Sequence, residues 1–195
     1  MVDHQTVDLD SASVLWLRTA ALAVPWLATS AILIANYGVF VLPVVLVIAW
    51  FGGDQHSAPR RRHAIVAGCL AAAVAICIGL VLERALARPR PFVALGFVPL
   101  VEHAADSSFP SDHTLFGVAL VTPLAWTLRP GGLLILIWAL LVGAARVVAG
   151  LHYPSDILGS VGLALVLDAI AVSVTSPLLV ALPAGARSLL GVDPG

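Results

Sequence analysis

From Ala64 to Leu82 the chain carries no charged residue. At 1.5 Å of rise per residue, a helix over that run spans a hydrocarbon core of roughly 30 Å. Inside such a core only a helix or a closed barrel satisfies its own backbone. Composition agrees with the run: 60% of the 195 residues are hydrophobic, 11% are charged, and mean hydropathy is +1.02. Soluble domains carry about a quarter charged residues. The expected class is therefore all-α, a polytopic transmembrane bundle of five or six membrane helices forming one membrane-embedded domain over 1–195. The formal net charge of −1 offers no nucleic-acid footprint, and no sequence feature identifies an oligomeric partner.

Residues 14 to 51 form a long apolar tract broken by Arg18, Pro25, Pro43 and the triplet Asn36-Tyr37-Gly38. The pattern suggests a leading helix within residues 1–36, spanning or interfacial, and then a span from about Tyr37 to Phe51. The N-terminus is acidic and lacks the basic region of a signal peptide, so this first segment is expected to remain in the protein. Arg60, Arg61 and Arg62 close the next loop and mark the cytoplasmic side. Further spans are expected over Ala64–Leu82, Thr114–Leu128, Leu133–Val148 and Ile157–Leu182, with an inner turn at residues 129–132. Cys69 and Cys77 lie eight residues apart on one helix. About 12 Å of rise separates them, too far for a disulfide, so both read as reduced packing residues.

This topology gathers three polar stretches at one membrane level: ERALARPRP (83–91), ADSSFPSDH (105–113) and ARVVAGLHYPSD (145–156). Arg84, Arg88, Arg90 and Arg146 offer planar cationic forks suited to phosphate oxygens. Ser111 and the free N–H groups of the helix it opens suit an anion too. His113 and His152 exchange protons near neutral pH, and a histidine can also be a covalent nucleophile. Asp156, four residues after His152, is placed to hold that imidazole in one tautomer. Flanking arginines often only snorkel to headgroups, and a Pro-Ser-Asp run is ordinary helix-start chemistry. Arg146 is harder to dismiss, because a charge within an apolar helix costs roughly 2.5–3.5 kcal/mol on insertion scales. His103, Asp106 and Asp112 are secondary candidates. Asp168, twelve residues past Asp156 and about 18 Å deeper, suits an interhelical hydrogen bond or a position close to the inner side.

These stretches resemble the three-part signature of the type 2 phosphatidic acid phosphatase superfamily, KxxxxxxRP, PSGH and SRxxxxxHxxxD. Arg90-Pro91 matches the first part, Ser111 and His113 the second, and Arg146, His152 and Asp156 the third. The resemblance covers roughly residues 60 to 170, and RPRPF, HAADSSFPSDH and GLHYPSDILGS are similar to its bacitracin-resistance-type undecaprenyl-diphosphatase branch. Three positions depart from the pattern: Glu83 stands for lysine, Asp112 for glycine and Ala145 for serine. Glu83 would repel a phosphate and is expected to pair with Arg84 or Arg88.

The resemblance implies a phosphatase with a lipid diphosphate substrate. His152 attacks phosphorus, Asp156 orients it, and His113 protonates the leaving oxygen and later activates water. Arg90, Arg146 and Ser111 hold the phosphate, with Arg84 or Arg88 replacing the lysine. No metal or other cofactor is expected, since arginines supply the positive charge. The same likeness implies a multi-pass protein of the bacterial plasma membrane, in contact with membrane lipids, whose site faces the extracytoplasmic side. Phosphatases of other lipid phosphates, the family's soluble haloperoxidases, and a non-catalytic transporter or scaffold are the competing readings.

Overall fold

The computed structural model describes residues 8–54, 56–128, 130–181 and 183–190. In order, the helices are α1 (Leu9–Leu22), α2 (Pro25–Tyr37), α3 (Val41–Phe51), α4 (Ala58–Leu86), α5 (Pro91–Ala94), α6 (Asp112–Thr127), α7 (Gly131–Val148), α8 (Pro154–Ala181) and α9 (Ala184–Leu190). Among the described residues, the β structure is one isolated antiparallel bridge between Pro89 and Ser107.

Four stretches are long and apolar enough to cross a membrane: Pro25–Phe51, Ala58–Leu86, Gly131–Val148 and Pro154–Leu178. The first corrects the expected start at Tyr37. The Asn36-Tyr37-Gly38 triplet ends α2 but not the span, because a single 3-10 turn over Gly38–Phe40 carries α2 into α3. Gly38 serves packing there: a Cβ on it would lie 2.8 Å from Val142 of α7, and its carbonyl accepts from Trp138 Nε1 at 2.8 Å. The expected count of five or six spans is not reached by length and composition. At 16 residues α6 is shorter than the four, although it runs through the middle of the bundle with most of its side chains buried.

Lipid tails are as apolar as leucine, so membrane helices associate through close packing and not through the hydrophobic effect. α4 meets α6 with a stripe of small residues, Ala64, Ala67, Gly68, Ala71, Ala72, Ala75 and Gly79. A Cβ on Gly68 would sit 2.3 Å from the Leu120 backbone oxygen, and backbone cannot move aside as a side chain can. Gly68→Ala is expected to lower stability by about 1–3 kcal/mol, the usual cost of overpacking. Thermal unfolding in detergent checks this; an unchanged midpoint would contradict the close approach.

The structure adds detail at three further places. Cys69 and Cys77 are free but exposed on the outside of α4, so they do not pack in the core. The arginine cluster splits, because the last turn of α3 leaves carbonyls without helical partners. Arg61 turns inward and donates to the Ala49 carbonyl at 2.5 Å, Arg62 lies over the Trp50 ring, and Arg60 stays exposed. Asp168 is buried, and among the described residues neither carboxylate oxygen takes a hydrogen bond of ordinary geometry. Thr122, lining the same small cavity, gives its proton to Val118 of its own helix.

Candidate active site

Short backbone devices converge the three polar stretches. α4 ends in a left-handed cap at Ala87 (φ 43°, ψ 39°), and Pro91 opens α5, so residues 88–90 run extended between them. That segment pairs with the second stretch through the Pro89–Ser107 bridge and a Ser108 N–H to Arg88 carbonyl bond of 2.7 Å. The third stretch is turned by Gly150 at φ +81°, a conformation glycine adopts without steric cost. The Leu151 N–H bonds the Arg146 carbonyl and the Gly150 N–H the Val147 carbonyl, which closes the end of α7. His152 is thereby folded back into the protein before Pro154 starts α8.

His152 is fully buried. Its Nδ1 lies 2.6 Å from the Ser108 carbonyl, which can only accept, and its Nε2 lies 3.2 Å from Arg90 Nη1, which can only donate. The two contacts fix the tautomer: the proton sits on Nδ1 and the lone pair on Nε2. Burial first, and then the charges of Arg146 and Arg90, hold the imidazole well below the ordinary histidine range, so the lone pair stays free at neutral pH.

Arg90 is buried, with Nε 2.6 Å from Asp106 and Nη1 also on the Leu151 carbonyl at 3.1 Å. Arg146 is buried too. Its Nη1 reaches the Ala35 carbonyl at 3.3 Å, its Nη2 reaches His103 Nε2 at 3.1 Å, and its Nε has no partner. His103 accepts that bond on Nε2 while its Nδ1 meets the Ala104 carbonyl, so it is neutral. Burial and the charge of Arg90 push it below the usual histidine range. His113, half-buried at the start of α6, makes no hydrogen bond among the described residues and lies within electrostatic reach of Arg146, His103 and Arg90. Ser111 is fully buried; its hydroxyl meets Thr114 Oγ1 at 3.1 Å, and its N–H donates to Ser160.

The first-rank residues Arg90, Ser111, His113, Arg146, His152 and Asp156 therefore share one end of the bundle, and His103 and Asp106 join them. Other expected positions do not hold. Arg84 is exposed and, among the described residues, bonds only the Leu80 carbonyl of its own helix, because the left-handed turn at Ala87 leads the chain away from it. Arg88 reaches the site from behind. Its donors are taken by Asp10 (2.8 Å), Ser155 (2.8 Å) and Asp156 (2.5 Å), which leaves it on carboxylates and not on the phosphate pocket. Glu83 pairs with neither arginine and instead meets the exposed Asp112 within hydrogen-bonding reach.

Asp156 makes no direct hydrogen bond to His152. Its Oδ2 accepts from the Ser108 hydroxyl at 2.5 Å and from the Tyr153 N–H at 2.8 Å, the latter a helix-start bond. Ser108, whose carbonyl holds Nδ1, is thus the link between carboxylate and imidazole. No spacing rule singled it out among the serines of ADSSFPSDH.

Residues 64–178 match the PAP2 superfamily. The chain belongs to that superfamily. Undecaprenyl-diphosphatase BcrC of Bacillus subtilis is 35% identical over 136 residues, 70% of this chain and 68% of that protein. The bacitracin transport permease protein BcrC of Bacillus licheniformis is 31% identical over 147 residues, 75% and 70% of the two chains. In three dimensions the crystal structure of Aquifex aeolicus LpxE aligns with a TM-score of 0.65 at 20% identity, covering 87% of this chain and 98% of that one. The PAP2 match contains all three polar stretches, so the converged arginines and histidines lie in the part of the chain that carries the family likeness.

Proposed function

We propose that the protein hydrolyses undecaprenyl diphosphate to undecaprenyl phosphate and phosphate, and so recycles a carrier lipid for cell-wall synthesis. The observation that carries this reading is the His152 tautomer, whose Nε2 lone pair faces Arg90, with Arg146 within electrostatic reach of the imidazole. In the proposed chemistry Nε2 bonds to the terminal phosphorus as the bridging P–O bond breaks. His113 gives its proton to the departing oxygen. Water, deprotonated by His113, then attacks the phosphohistidine; the P–N bond breaks and free phosphate leaves. Arg90, Arg146 and Ser111 hold the non-bridging oxygens, where preorganised donors act most strongly.

A lipid substrate is supported by the surroundings of His113. An apolar cavity of about 420 Å³ opens between His113, Leu80, Val39 and Phe40, and it shares Pro43, Ile76 and Phe116 with a second apolar cavity of about 570 Å³. A diphosphate head at the arginines and a hydrocarbon tail between helices suit this layout. The exposed Arg60 at the start of α4, at the opposite end, supports a cytoplasmic orientation of that end by the positive-inside rule, and with it an extracytoplasmic site.

The test is phosphate release by purified protein from undecaprenyl diphosphate, phosphatidylglycerol phosphate and phosphatidate at matched micelle concentration. At least a tenfold higher kcat/KM for the prenyl diphosphate is expected. Equal rates would overturn the substrate assignment, and no release from any of the three would favour a transport or scaffold role.

A further inference from the structure

Helix α1 lies outside the segment that carries the family likeness, yet it reaches into the site. Asp10 Oδ1 accepts the Ser155 N–H at 3.0 Å, and Oδ2 accepts from the Ser155 hydroxyl and from Arg88 Nη2 at 2.8 Å. Arg88 stacks over the Tyr153 ring, 4.2 Å from its centroid, and passes the contact to Asp156 Oδ1. The other oxygen of Asp156 takes the Ser108 hydroxyl, and the Ser108 carbonyl takes His152 Nδ1–H. Each link has a defined donor and acceptor, so the series runs without a break from an N-terminal carboxylate to the imidazole.

The helix is also fixed as a body. Val14 is fully buried in a cluster with Val147 and Tyr153, and Arg18 Nη2 donates to the Val98 carbonyl at 2.7 Å while its guanidinium lies over Phe97. Asp8 caps its first turn by accepting the Ser11 N–H at 2.7 Å. Asp10 is thus presented from a capped, anchored helix and not from a loose tail.

We infer that Asp10 is a positioning residue for phosphoryl transfer, holding Arg88 so that Asp156 and Ser108 fix the imidazole of His152. The physical need is plain. Asp156 is fully buried, and its partner cation among the described residues, Arg88, is a third exposed along its side chain. Without Asp10, Nη2 loses its carboxylate and Ser155 loses the partner that orients its hydroxyl, so the guanidinium is held less firmly and the carboxylate that holds Ser108 loses part of its fixed direction. Misplacement of a reacting group by about 1 Å can cost 10²-fold in rate.

This inference rests on His152 being the nucleophile, and the experiment separates the two. Asp10→Asn, Asp10→Glu, Ser108→Ala and the Asp10→Asn/Ser108→Ala double variant are assayed beside His152→Ala in the full-length protein. Asp10→Asn is expected to lower kcat about tenfold with KM within twofold and the thermal midpoint unmoved, and Asp10→Glu to recover part of the loss. The double variant is expected to be no slower than Ser108→Ala alone, because links of one chain are not additive. Wild-type kcat in Asp10→Asn overturns the inference. So does a loss that follows a lowered thermal midpoint, or one that multiplies with Ser108→Ala. Phosphate release by His152→Ala would instead overturn the nucleophile itself.

Discussion

His152→Ala is expected to reduce phosphate release by roughly 10⁴–10⁶, the scale seen when a nucleophile that works as part of a unit is removed. The expectation follows from the proposed role of Nε2. Without that lone pair no covalent intermediate forms, and the arginines can only bind substrate. Truncation also strands the Ser108 carbonyl, which accepts from Nδ1 at 2.6 Å, so lost folding has to be separated from lost chemistry. His152→Gln does this, since an amide N–H can still meet the carbonyl while no nucleophilic nitrogen remains. Both variants are expected to be inactive, and His152→Gln to unfold close to the wild-type midpoint. An alkaline quench with labelled substrate is expected to trap phosphate on the wild type and on neither variant. Turnover in either one would refute the assignment.

The same environment sets a pH dependence. The folded imidazole is held well below its ordinary value of 6.5, so it remains neutral and nucleophilic as pH falls through that value. The acid limb of kcat/KM attributable to His152 therefore lies below the ordinary histidine range. Stability moves the other way. The unfolded chain binds this proton at about 6.5 and the folded chain does not, so stability is lost as pH drops below that point. His103, lowered by burial and by Arg90, adds in the same direction.

How far the site could be read in advance depended on the kind of constraint. Arg90, Ser111, His113, Arg146, His152 and Asp156 were legible because their spacing relative to apolar runs decides which membrane level they occupy. Side-chain direction was not legible. Arg88 and Arg90 are two residues apart, a spacing that regular extended alternation would put on one face, yet one meets the carboxylates of Asp10 and Asp156 and the other the imidazole of His152. Ser108 meets the imidazole through its carbonyl, a group every residue carries, and residue type gives no sign of that contact. Asp10 lies 145 positions from Ser155, and no local pattern predicts a contact at that distance. The triplet Asn36-Tyr37-Gly38 misled for a related reason. Its glycine reads as a turn, whereas the structure uses its missing side chain to admit Val142 of α7.

Arg146→Met is expected to cut kcat/KM by about 10²–10³ while leaving the thermal midpoint unchanged or raising it. The first half follows from its proposed role as a fixed donor to the phosphate, since one such donor is typically worth that factor. The second half follows from what the guanidinium lacks. It is 3% exposed inside an apolar helix, its Nε bonds nothing, and it has no ion-pair partner among the described residues. Methionine is of similar length and apolar, so it removes a buried cation without leaving a large void, and replacing poorly compensated buried charge is often neutral or stabilising. A residue kept for folding would show the reverse, with activity and midpoint falling together. Arg146→Lys sharpens the comparison by retaining the charge and losing the planar fork. It is expected to recover only a small part of the rate, because a transferring phosphoryl group presents several oxygens at once and a single ammonium cannot meet two of them in the guanidinium's fixed geometry. Full activity in the lysine variant would mean that charge alone, and not the shape of the donor, stabilises the anion at this position.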